Sequence, residues 1–233
     1  MTTHSSGTAT ISTDKAAREE ILARIRRAST DVTEKDPVAD VAVDWTYGSG
    51  LPIEDVVGEF VEKVLDYDAA VVRVSRADVP KAVVDGLMST GATSSVVVPA
   101  GLDESWTAAI REHGLEIRTD SAELSNQVLN ETDAVVTAAA SAIADTGTIV
   151  LTHGPDQGRR AISLVPDRHI CVVLASQVVS DVPESIAVVK PAIVEGQPMT
   201  MISGGSATSD IELSRVDGVH GPRQLHVIVV DDA

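Results

Sequence analysis

A run of glycine and hydroxyl-bearing residues near the C-terminus, residues 203–212, has the residue types and spacing of a small-molecule binding turn. The stretch Thr200–Ile202 before it is predicted as a strand and Thr208–Arg215 as a helix, so Gly204 and Gly205 would form the turn between them. Backbone N–H groups at a helix N-terminus are unpaired and carry partial positive charge. Such a turn can therefore hold a carboxylate or a phosphate. The candidate binding residues are Ser203, Gly204, Gly205, Ser206, Thr208, Asp210 and Glu212.

The same residues also suit a purely structural role at the start of the helix. Ser206 or Thr208 would cap the helix through its hydroxyl, while Asp210 and Glu212 in the first turn would complement the helix dipole. Capping alone and capping combined with an anion site fit these residues equally well. The sequence leaves both interpretations open.

A second polar turn, Asp145-Thr146-Gly147-Thr148, separates two apolar runs. Gly147 is expected to adopt a positive φ angle, and Asp145 can accept hydrogen bonds from nearby backbone N–H groups. A plain hairpin turn would explain these residues on its own. If the turn is functional, Thr146 and Thr148 should face the same cleft as Ser206.

Basic side chains are few in this acidic chain, and two groups of them lie where they could meet an anion. Arg159 and Arg160 follow Gly158, and an arginine fork can bind a carboxylate or phosphate through two parallel hydrogen bonds. An ion pair with one of the many acidic side chains explains them equally well. His220 and Arg223 belong to a tight turn before the last strand, where they either reach the cleft or only form the turn.

The usual fingerprints of nucleotide, metal and acyl-transfer sites are missing. No GxGxxG pattern follows a predicted strand, and Gly154 and Gly158 precede two arginines instead of the lysine pattern of a P-loop. No HExxH pattern occurs, and His220 and His226 have no third ligand near them, so no metal site is expected. Ser206 with His220 would suggest acyl transfer, but the second glycine of a GxSxG turn is absent.

The elements that would position these residues alternate between amphipathic helix and short apolar strand. This alternation indicates an α/β fold with a mostly parallel or mixed sheet flanked by helices, and the close spacing of strands after Ala138 favours a mixed second half. Gly91 and Gly114 fall where helix C-caps belong. The predicted helices are Ile53–Val64, Ala77–Met88, Glu104–His113, Glu123–Leu129, Val182–Val189 and Thr208–Arg215. The predicted strands are Ala69–Val74, Ser95–Val98, Leu115–Arg118, Ala134–Ala138, Thr148–Leu151, Ala161–Leu164, Ile170–Leu174, Thr200–Ile202 and Leu225–Val230.

Three segments are expected along the chain. Residues 1–13 are rich in Ser, Thr and Gly and are predicted to be a disordered tail. Residues 14–50 contain an amphipathic helix and a linker. The helix, which ends at Ala28, has apolar side chains every three or four positions, and the linker after it contains Pro37. Residues 51–233 are predicted to form the α/β domain.

Composition and charge limit the classes of partner. The chain has 18 Lys and Arg against 35 Asp and Glu, and its formal net charge of -17 disfavours binding to nucleic acid. Cys171 is the only cysteine, which excludes an internal disulfide and a cluster held by several thiolates of this chain. No secretory signal is recognised, and the longest apolar run, residues 134–144, is shorter than the ~20 residues of a membrane helix. We therefore expect a cytoplasmic protein that does not span a membrane.

Four ordered motifs in the C-terminal half resemble the lactate-utilization protein C family, the small LUD-domain proteins. They are Ala-Asp-Thr-Gly-Thr-Ile-Val-Leu at 144–151, Gly-Arg-Arg-Ala-Ile-Ser-Leu-Val-Pro-Asp-Arg-His-Ile at 158–170, Ile-Ser-Gly-Gly-Ser-Ala-Thr-Ser-Asp-Ile-Glu-Leu at 202–213, and Gly-Val-His-Gly-Pro at 218–222. Gly205 departs from the family pattern, in which the turn reads Ser-Gly-Pro-Ser. The resemblance implies a fold similar to that of sugar-phosphate isomerases and CoA transferases. It also implies a role in oxidising L-lactate to pyruvate together with two iron-sulfur lactate-utilization proteins.

These observations lead to one hypothesis and two alternatives. The chain would be the cluster-free subunit of a multi-component L-lactate oxidation system, with no cofactor of its own and iron-sulfur clusters in its partners. The two turns and Arg159 or Arg160 would line a cleft for a small carboxylate or phosphate-bearing ligand. Alternatively, the chain is a stand-alone transferase or ligase for CoA- or folate-related substrates, or a scaffold that contacts the partners through its N-terminal helix. No residue is an obvious hydride acceptor or base, so no catalytic residue is assigned.

Overall fold

The structure, a computed structural model, describes residues 10–30, 32, 36, 48, 50–208, 216–218 and 220–232. The chain divides into two compact units, residues 1–47 and residues 48–233. In the first unit, helix α1 spans Thr10–Ala28. The helix begins before its predicted start at Asp14. Residues 10–13, which were predicted to be part of the disordered tail, are therefore helical. The rest of that tail, residues 1–9, lies outside the described residues.

The second unit contains the predicted alternation of helices and strands. Among its described residues the helices are α2 (Val56–Asp66), α3 (Val79–Ser89), α4 (Glu104–Glu112), α5 (Asn126–Asn130) and α6 (Val182–Val194). The strands are β1 (Ala70–Ser75), β2 (Ser95–Val98), β3 (Glu116–Thr119), β4 (Ala134–Ala138), β5 (Ser141–Ile143), β6 (Thr148–Leu151), β7 (Arg168–Leu174), β8 (Val178–Val179), β9 (Thr200–Ile202), β10 (Ala207–Thr208), β11 (Val216–Asp217) and β12 (Gln224–Asp231). None of the helices described combines the length and the hydropathy that crossing a membrane requires.

Four of these helices begin at a side-chain cap. Asp55, Asp103 and Asp181 accept hydrogen bonds from backbone N–H groups in the first turns of α2, α4 and α6, and Ser125 does the same for α5. Each cap satisfies a backbone donor that has no acceptor within its own helix, which stabilises a helix by about 1 kcal/mol. The helix boundaries thus follow from local sequence.

Six strands form a parallel sheet in the order β1-β12-β7-β4-β2-β3. The chain leaves β2 outwards to β3 and then returns to β4, so the direction of strand addition reverses between β2 and β4. A second, mixed sheet has the order β8-β5-β6-β9, in which β6 pairs antiparallel with both β5 and β9. The expected combination of parallel and mixed pairing is therefore divided between two sheets.

The two faces of the parallel sheet pack against different layers. Ile170 and Ile228 belong to a buried cluster with residues of α3 and α4. Cys171 and Val227, one position along each strand, belong to a cluster on the other face with α2 and the mixed sheet. Because alternate side chains of a strand point to opposite faces, β7 and β12 contribute to both clusters.

Most predicted elements are confirmed, and one predicted strand is wrong. The predicted strand Ala161–Leu164 is a 3-10 turn over Arg160–Ser163. The N–H groups of Ile162 and Leu164 donate to the carbonyls of Arg159 and Ala161, three residues back, which is the hydrogen-bond pattern of a 3-10 turn. A short apolar run does not by itself distinguish a strand from a buried turn. The predicted C-cap glycines Gly91 and Gly114 do have positive φ angles, of 83° and 92°.

Candidate functional site

The polar turn at residues 145–148 connects the antiparallel strands β5 and β6, as the hairpin interpretation requires. Gly147 has the predicted positive φ angle, 57°. A Cβ atom at this position would lie 2.7 Å from Cβ of Lys63, so the turn packs closely on α2. The side chain of Asp145 is exposed and accepts no hydrogen bond from the residues that the structure describes, contrary to our expectation.

A chain of hydroxyl groups joins this turn to the glycine-rich turn. Oγ1 of Thr146 and Oγ1 of Thr148 are 2.8 Å apart, and Oγ1 of Thr148 is 2.8 Å from Oγ of Ser203. Pairing between β6 and β9 brings the two turns together, because Ile149 lies opposite Ile202. The two predicted turns are therefore neighbours, and Ser203 rather than Ser206 makes the contact.

Neighbouring residues approach both glycines of the pair closely. Gly204 has a φ angle of 80°, and a Cβ there would lie 2.5 Å from Cβ of Tyr67. A Cβ on Gly205 would lie 2.5 Å from the carbonyl oxygen of Arg223. Such distances exclude any side chain without movement of the backbone. Glycine at position 205, the departure from the family pattern, is thus the residue that this conformation accommodates.

Ser206 attaches the turn to the segment that precedes β12. Its N–H donates to the carbonyl of Pro222 at 2.7 Å, and its carbonyl accepts from the N–H of Gly218 at 2.8 Å. Its Oγ accepts a hydrogen bond from the backbone N–H of His220 at 3.0 Å. The contact between Ser206 and His220 therefore involves the His220 backbone, which differs from the side-chain pair of an acyl-transfer site.

The helix predicted to begin at Ser206 or Thr208 does not start there. Ala207–Thr208 is an extended segment, β10, that pairs antiparallel with Val216–Asp217. Strand pairing with Val216–Asp217 takes the place of the predicted helix start at Thr208. The rest of the predicted helix, residues 209–215, lies outside the described residues. The turn therefore leads into a strand and has no helix N-terminus at residue 208. Asp210 and Glu212 lie outside the described residues.

A cavity of about 250 Å³ lies against this turn, at the edge of the parallel sheet where β7 and β12 begin. We call it the amino-edge cavity. Its wall combines apolar side chains with hydroxyl, imidazole and backbone groups, a composition typical of small-molecule sites. It is lined by Ser163, Leu164, His169, Thr200, Met201, Ile202, Ser203, Gly204, Gly205, Ser206, His220, Gly221, Pro222 and Leu225.

His169 is a buried titratable group that lines this cavity, and it was not among the residues proposed from sequence. Its side chain is 1% exposed, and its Nε2 lies 2.8 Å from Oγ1 of Thr137. Its Nδ1 has no hydrogen-bond partner in the part of the chain that the structure describes. Burial lowers the pKa of His169 to about 4, so the ring is neutral near neutral pH. A histidine directly before the apolar run Ile170–Leu174 was the available sequence signal.

The thiol of Cys171 lies on the same face of β7 as His169. Oγ1 of Thr137 is 3.7 Å from its sulfur, and the thiol is 3.9 Å from the carbonyl oxygen of Ala138. Burial raises the pKa of Cys171 to about 12. The thiol is therefore protonated, which makes it a poor nucleophile and a poor metal ligand.

The candidate arginines lie outside the amino-edge cavity. Nε of Arg159 pairs with Oδ1 of Asp120 at 2.8 Å, and its backbone N–H donates to Oδ2 at 2.7 Å, so its role is the structural ion pair. Arg160 lines a separate open cleft beside His153. Arg223 pairs with Asp167 at 3.3 Å. Of the four basic candidates, only His220 lines the cavity.

His153 connects the loop that carries these arginines to the floor of the amino-edge cavity. Its Nε2 is 2.8 Å from Oγ1 of Thr200, and its Nδ1 is 3.0 Å from the carbonyl oxygen of Gly158. His153 adopts a φ angle of 60°, which is uncommon for a residue with a side chain. Burial, together with the nearby positive charge of Arg160, lowers its pKa.

A second cavity, of about 280 Å³, lies at the opposite edge, beyond the carboxyl ends of β2, β4 and β7. We call it the carboxyl-edge cavity. Arg76, Trp106, Asp156 and Gln177 contribute polar groups to it. Parallel sheets often bind ligands at this edge where the strand order reverses. None of the described residues proposed from sequence lines this cavity.

Metal ligands are not clustered in the searched part of the chain. No group of three or more His, Cys, Asp or Glu side chains is placed to hold a metal ion among the described residues. His220 is exposed at the amino-edge cavity, whereas His226 is buried against Gly86 of α3.

Comparisons with known proteins cover nearly the whole chain. A family model described as the LUD domain matches residues 11–230. A Deinococcus radiodurans protein named lactate utilization protein C is 43% identical over 221 residues, which is 95% of this chain and 99% of that protein. A Bacillus licheniformis protein of the same name is 36% identical over 94 residues, 39% of each chain. The crystal structure of a DUF162 family protein from Deinococcus radiodurans has a TM-score of 0.65 and 43% identity, and covers 77% of this chain and 99% of that one.

Proposed function

Because this chain belongs to the LUD domain family, we propose that it acts in lactate utilization, as the cluster-free subunit of a system that oxidises L-lactate to pyruvate. The observation that carries the proposal is the 43% identity to a protein named lactate utilization protein C, over 95% of this chain and 99% of that protein. Similarity of this extent makes a shared general role the simplest inference. Partner proteins that hold iron-sulfur clusters complete the proposed system.

The amino-edge cavity supports a role with a small organic acid. Residues 202–206 of the motif at 202–213 line the cavity, and the motif at 144–151 contacts them through Thr148 and Ser203. A volume of about 250 Å³ is several times the roughly 30 Å³ that one water molecule occupies in the liquid. The cavity can therefore accept a molecule of the size of lactate or pyruvate.

The single cysteine of this chain supports a system in which the redox cofactors belong to partner proteins. Oxidation of L-lactate to pyruvate removes two electrons and two protons, so an electron acceptor is required. The single cysteine of this chain is buried and its thiol pKa is raised to about 12, so this residue is unsuited to ligate an iron-sulfur cluster. In the proposed system the electrons pass to clusters of the partners, while this chain contributes binding or assembly.

A gene deletion tests the role. A strain that lacks this gene, and any other lactate dehydrogenase, should fail to grow on L-lactate and should grow normally on pyruvate. A plasmid copy of the wild-type gene should restore growth on L-lactate. Undiminished growth of the deletion strain on L-lactate would contradict the proposal, and so would conversion of L-lactate by the purified chain without partners.

A further inference from the structure

Helix α6 carries apolar side chains all round, although only one of its sides is covered. Its only charged residues are Glu184 and Lys190. On the covered side, Val189 packs on Ile143 and Val150 of the mixed sheet. A helix that is apolar all round is normally buried all round. The other side of α6 therefore has the composition of a contact surface.

The exposed side of α6 forms a continuous apolar stripe, which we call the α6 stripe. Spacings of three and four positions place four exposed side chains on one face, and these are Ala187, Val188, Pro191 and Val194. Val188 and Val194 are 55% and 76% exposed. Carboxylates lie at both ends of this face, because Glu184 is one turn before Val188 and Glu195 directly follows Val194.

Helix α1 has an exposed apolar face of similar length, which we call the α1 stripe. Its four members recur every three or four positions, and they are Ala17, Ile21, Ile25 and Ala28. Ile21 and Ile25 are 57% and 55% exposed. Arg18 and Arg24 lie along the two sides of this stripe. An apolar stripe flanked by arginines is complementary in charge to one that ends in glutamates.

The distribution of charge along the chain agrees with this complementarity. Helix α1 has five Lys and Arg against three Asp and Glu, whereas residues 48–233 have 12 against 27. Arg24 pairs with Glu20 of its own helix at 2.6 Å, but both side chains of that pair are more than half exposed. Such a surface pair contributes little, so Arg24 remains available to a second carboxylate.

Two α6 stripes do not suit each other. In a parallel pair of α6 helices, Glu184 would face Glu184 of the other copy. In an antiparallel pair, Glu184 would face Glu195 of the other copy. Both arrangements place like charges opposite each other, which is unfavourable. The α6 stripe therefore fits a basic amphipathic helix, and every copy of this chain carries one in α1.

We propose that α1 of a second copy packs on the α6 stripe, and that two copies exchange their α1 helices reciprocally in a two-fold symmetric dimer. The linker, residues 29–49, extends over at most roughly 70 Å, which allows α1 to reach a neighbouring chain. One contact between two short helices is small against the ~800 Å² per partner of a stable interface, and the reciprocal exchange doubles it.

Sedimentation equilibrium of the full chain measures the dimer. The wild type should be dimeric at micromolar concentrations. Ile25→Asp and Val194→Asp each place a carboxylate in one of the two stripes, and each change occurs twice in the dimer. The dissociation constant should therefore rise about 100-fold in either variant, about ten-fold for each contact. A wild-type chain that stays monomeric at micromolar concentrations would overturn the proposal.

Two matched controls separate the stripes from a general effect of added charge. Ala23→Asp lies on the opposite side of α1, and Leu65→Asp replaces a 52% exposed side chain of α2. Either control should change the dissociation constant less than about three-fold. Equal weakening by the controls and the stripe variants would overturn the proposal. Circular dichroism checks that each variant is folded, and Ile25→Asp alone keeps the test decisive if Val194→Asp is not.

A mixture of the two stripe variants tests the exchange itself. Ile25→Asp keeps an intact α6 stripe, and Val194→Asp keeps an intact α1 stripe, so one of the two contacts can form between them. With one variant labelled fluorescently, the two should associate about ten-fold more tightly than either associates with itself. Failure of the mixture to associate more tightly, or a wild-type dimer in Ile25→Asp, would show that α1 does not occupy the α6 stripe of a second copy.

Discussion

The buried imidazole of His169 should make the stability of this protein depend on pH in a way that one substitution removes. Burial lowers the pKa of His169 from 6.5 to about 4 in the folded chain. In the unfolded chain the ring is solvated and its pKa returns to about 6.5. As the pH falls, the unfolded state therefore binds the proton first, and the free energy of unfolding decreases below about pH 6.5.

The magnitude follows from linkage. Between about pH 7 and pH 5 the unfolded chain changes from mostly neutral to mostly protonated at His169, while the folded chain stays about nine-tenths neutral. With about 1.4 kcal/mol for each pH unit of proton uptake, the free energy of unfolding falls by about 2 kcal/mol over this interval. The loss would continue down to about pH 4, where the folded state also binds the proton.

Urea unfolding followed by far-UV circular dichroism at about pH 7, 6 and 5 measures this loss. These conditions stay above the isoelectric point of about 4.6. The carboxylates and other histidines are common to both proteins, so the loss in the wild type should exceed that in His169→Gln by about 2 kcal/mol. His220→Gln removes an exposed imidazole and should differ from the wild type less than His169→Gln does. Equal pH dependence in the wild type and His169→Gln would refute a buried, neutral histidine.

Three further substitutions test the packing around the site and the core. Gly204→Ala should lower the free energy of unfolding by more than about 2 kcal/mol, because the added Cβ meets a tyrosine. Gly196→Ala, which has a similar φ angle and open space around it, should lower it by only about 1 kcal/mol. Thermal unfolding measures both. Asp120→Asn weakens a buried carboxylate bonded to an arginine and should cost about 1–3 kcal/mol. The exposed pair at Glu116 is the control, and Glu116→Gln should cost less than about 1 kcal/mol. Phe60→Ala should lower the free energy of unfolding by about 3–5 kcal/mol, because this side chain is fully buried. A smaller decrease, measured by urea unfolding, would mean that the core around it repacks.

The fold could be predicted from local pattern wherever strands are short and apolar. Ser95–Val98 and Ala134–Ala138 have their predicted bounds, because nearly every side chain in them is buried in a parallel sheet. The segment after Ser206 could not be predicted in this way. Its capping pattern favours a helix, but Ala207–Thr208 pairs with a segment further along the chain. The helix or strand propensity of a segment does not indicate which other segment it pairs with.

The candidate site shows the same limit. The turns at 145–148 and 203–206 were predicted from residue type, and the pairing of β6 with β9 places them in contact. The role of Arg159 depends on Asp120, which is distant in sequence and adjacent in space. His169 was missed because its orientation depends on the register of β7 with its neighbours, which sets the face it occupies.

Reconstituted lactate oxidation tests the central proposal most directly. The tagged chain is purified with its partners from cells grown on L-lactate, and the L-lactate-dependent reduction of a dye is measured with the full complex, with the partners alone and with this chain alone. If this chain is a required, cluster-free subunit, only the full complex should reduce the dye at an appreciable rate, and adding the purified chain to its partners should restore that rate. Equal rates from the partners without this chain, or dye reduction by this chain alone, would contradict the proposal.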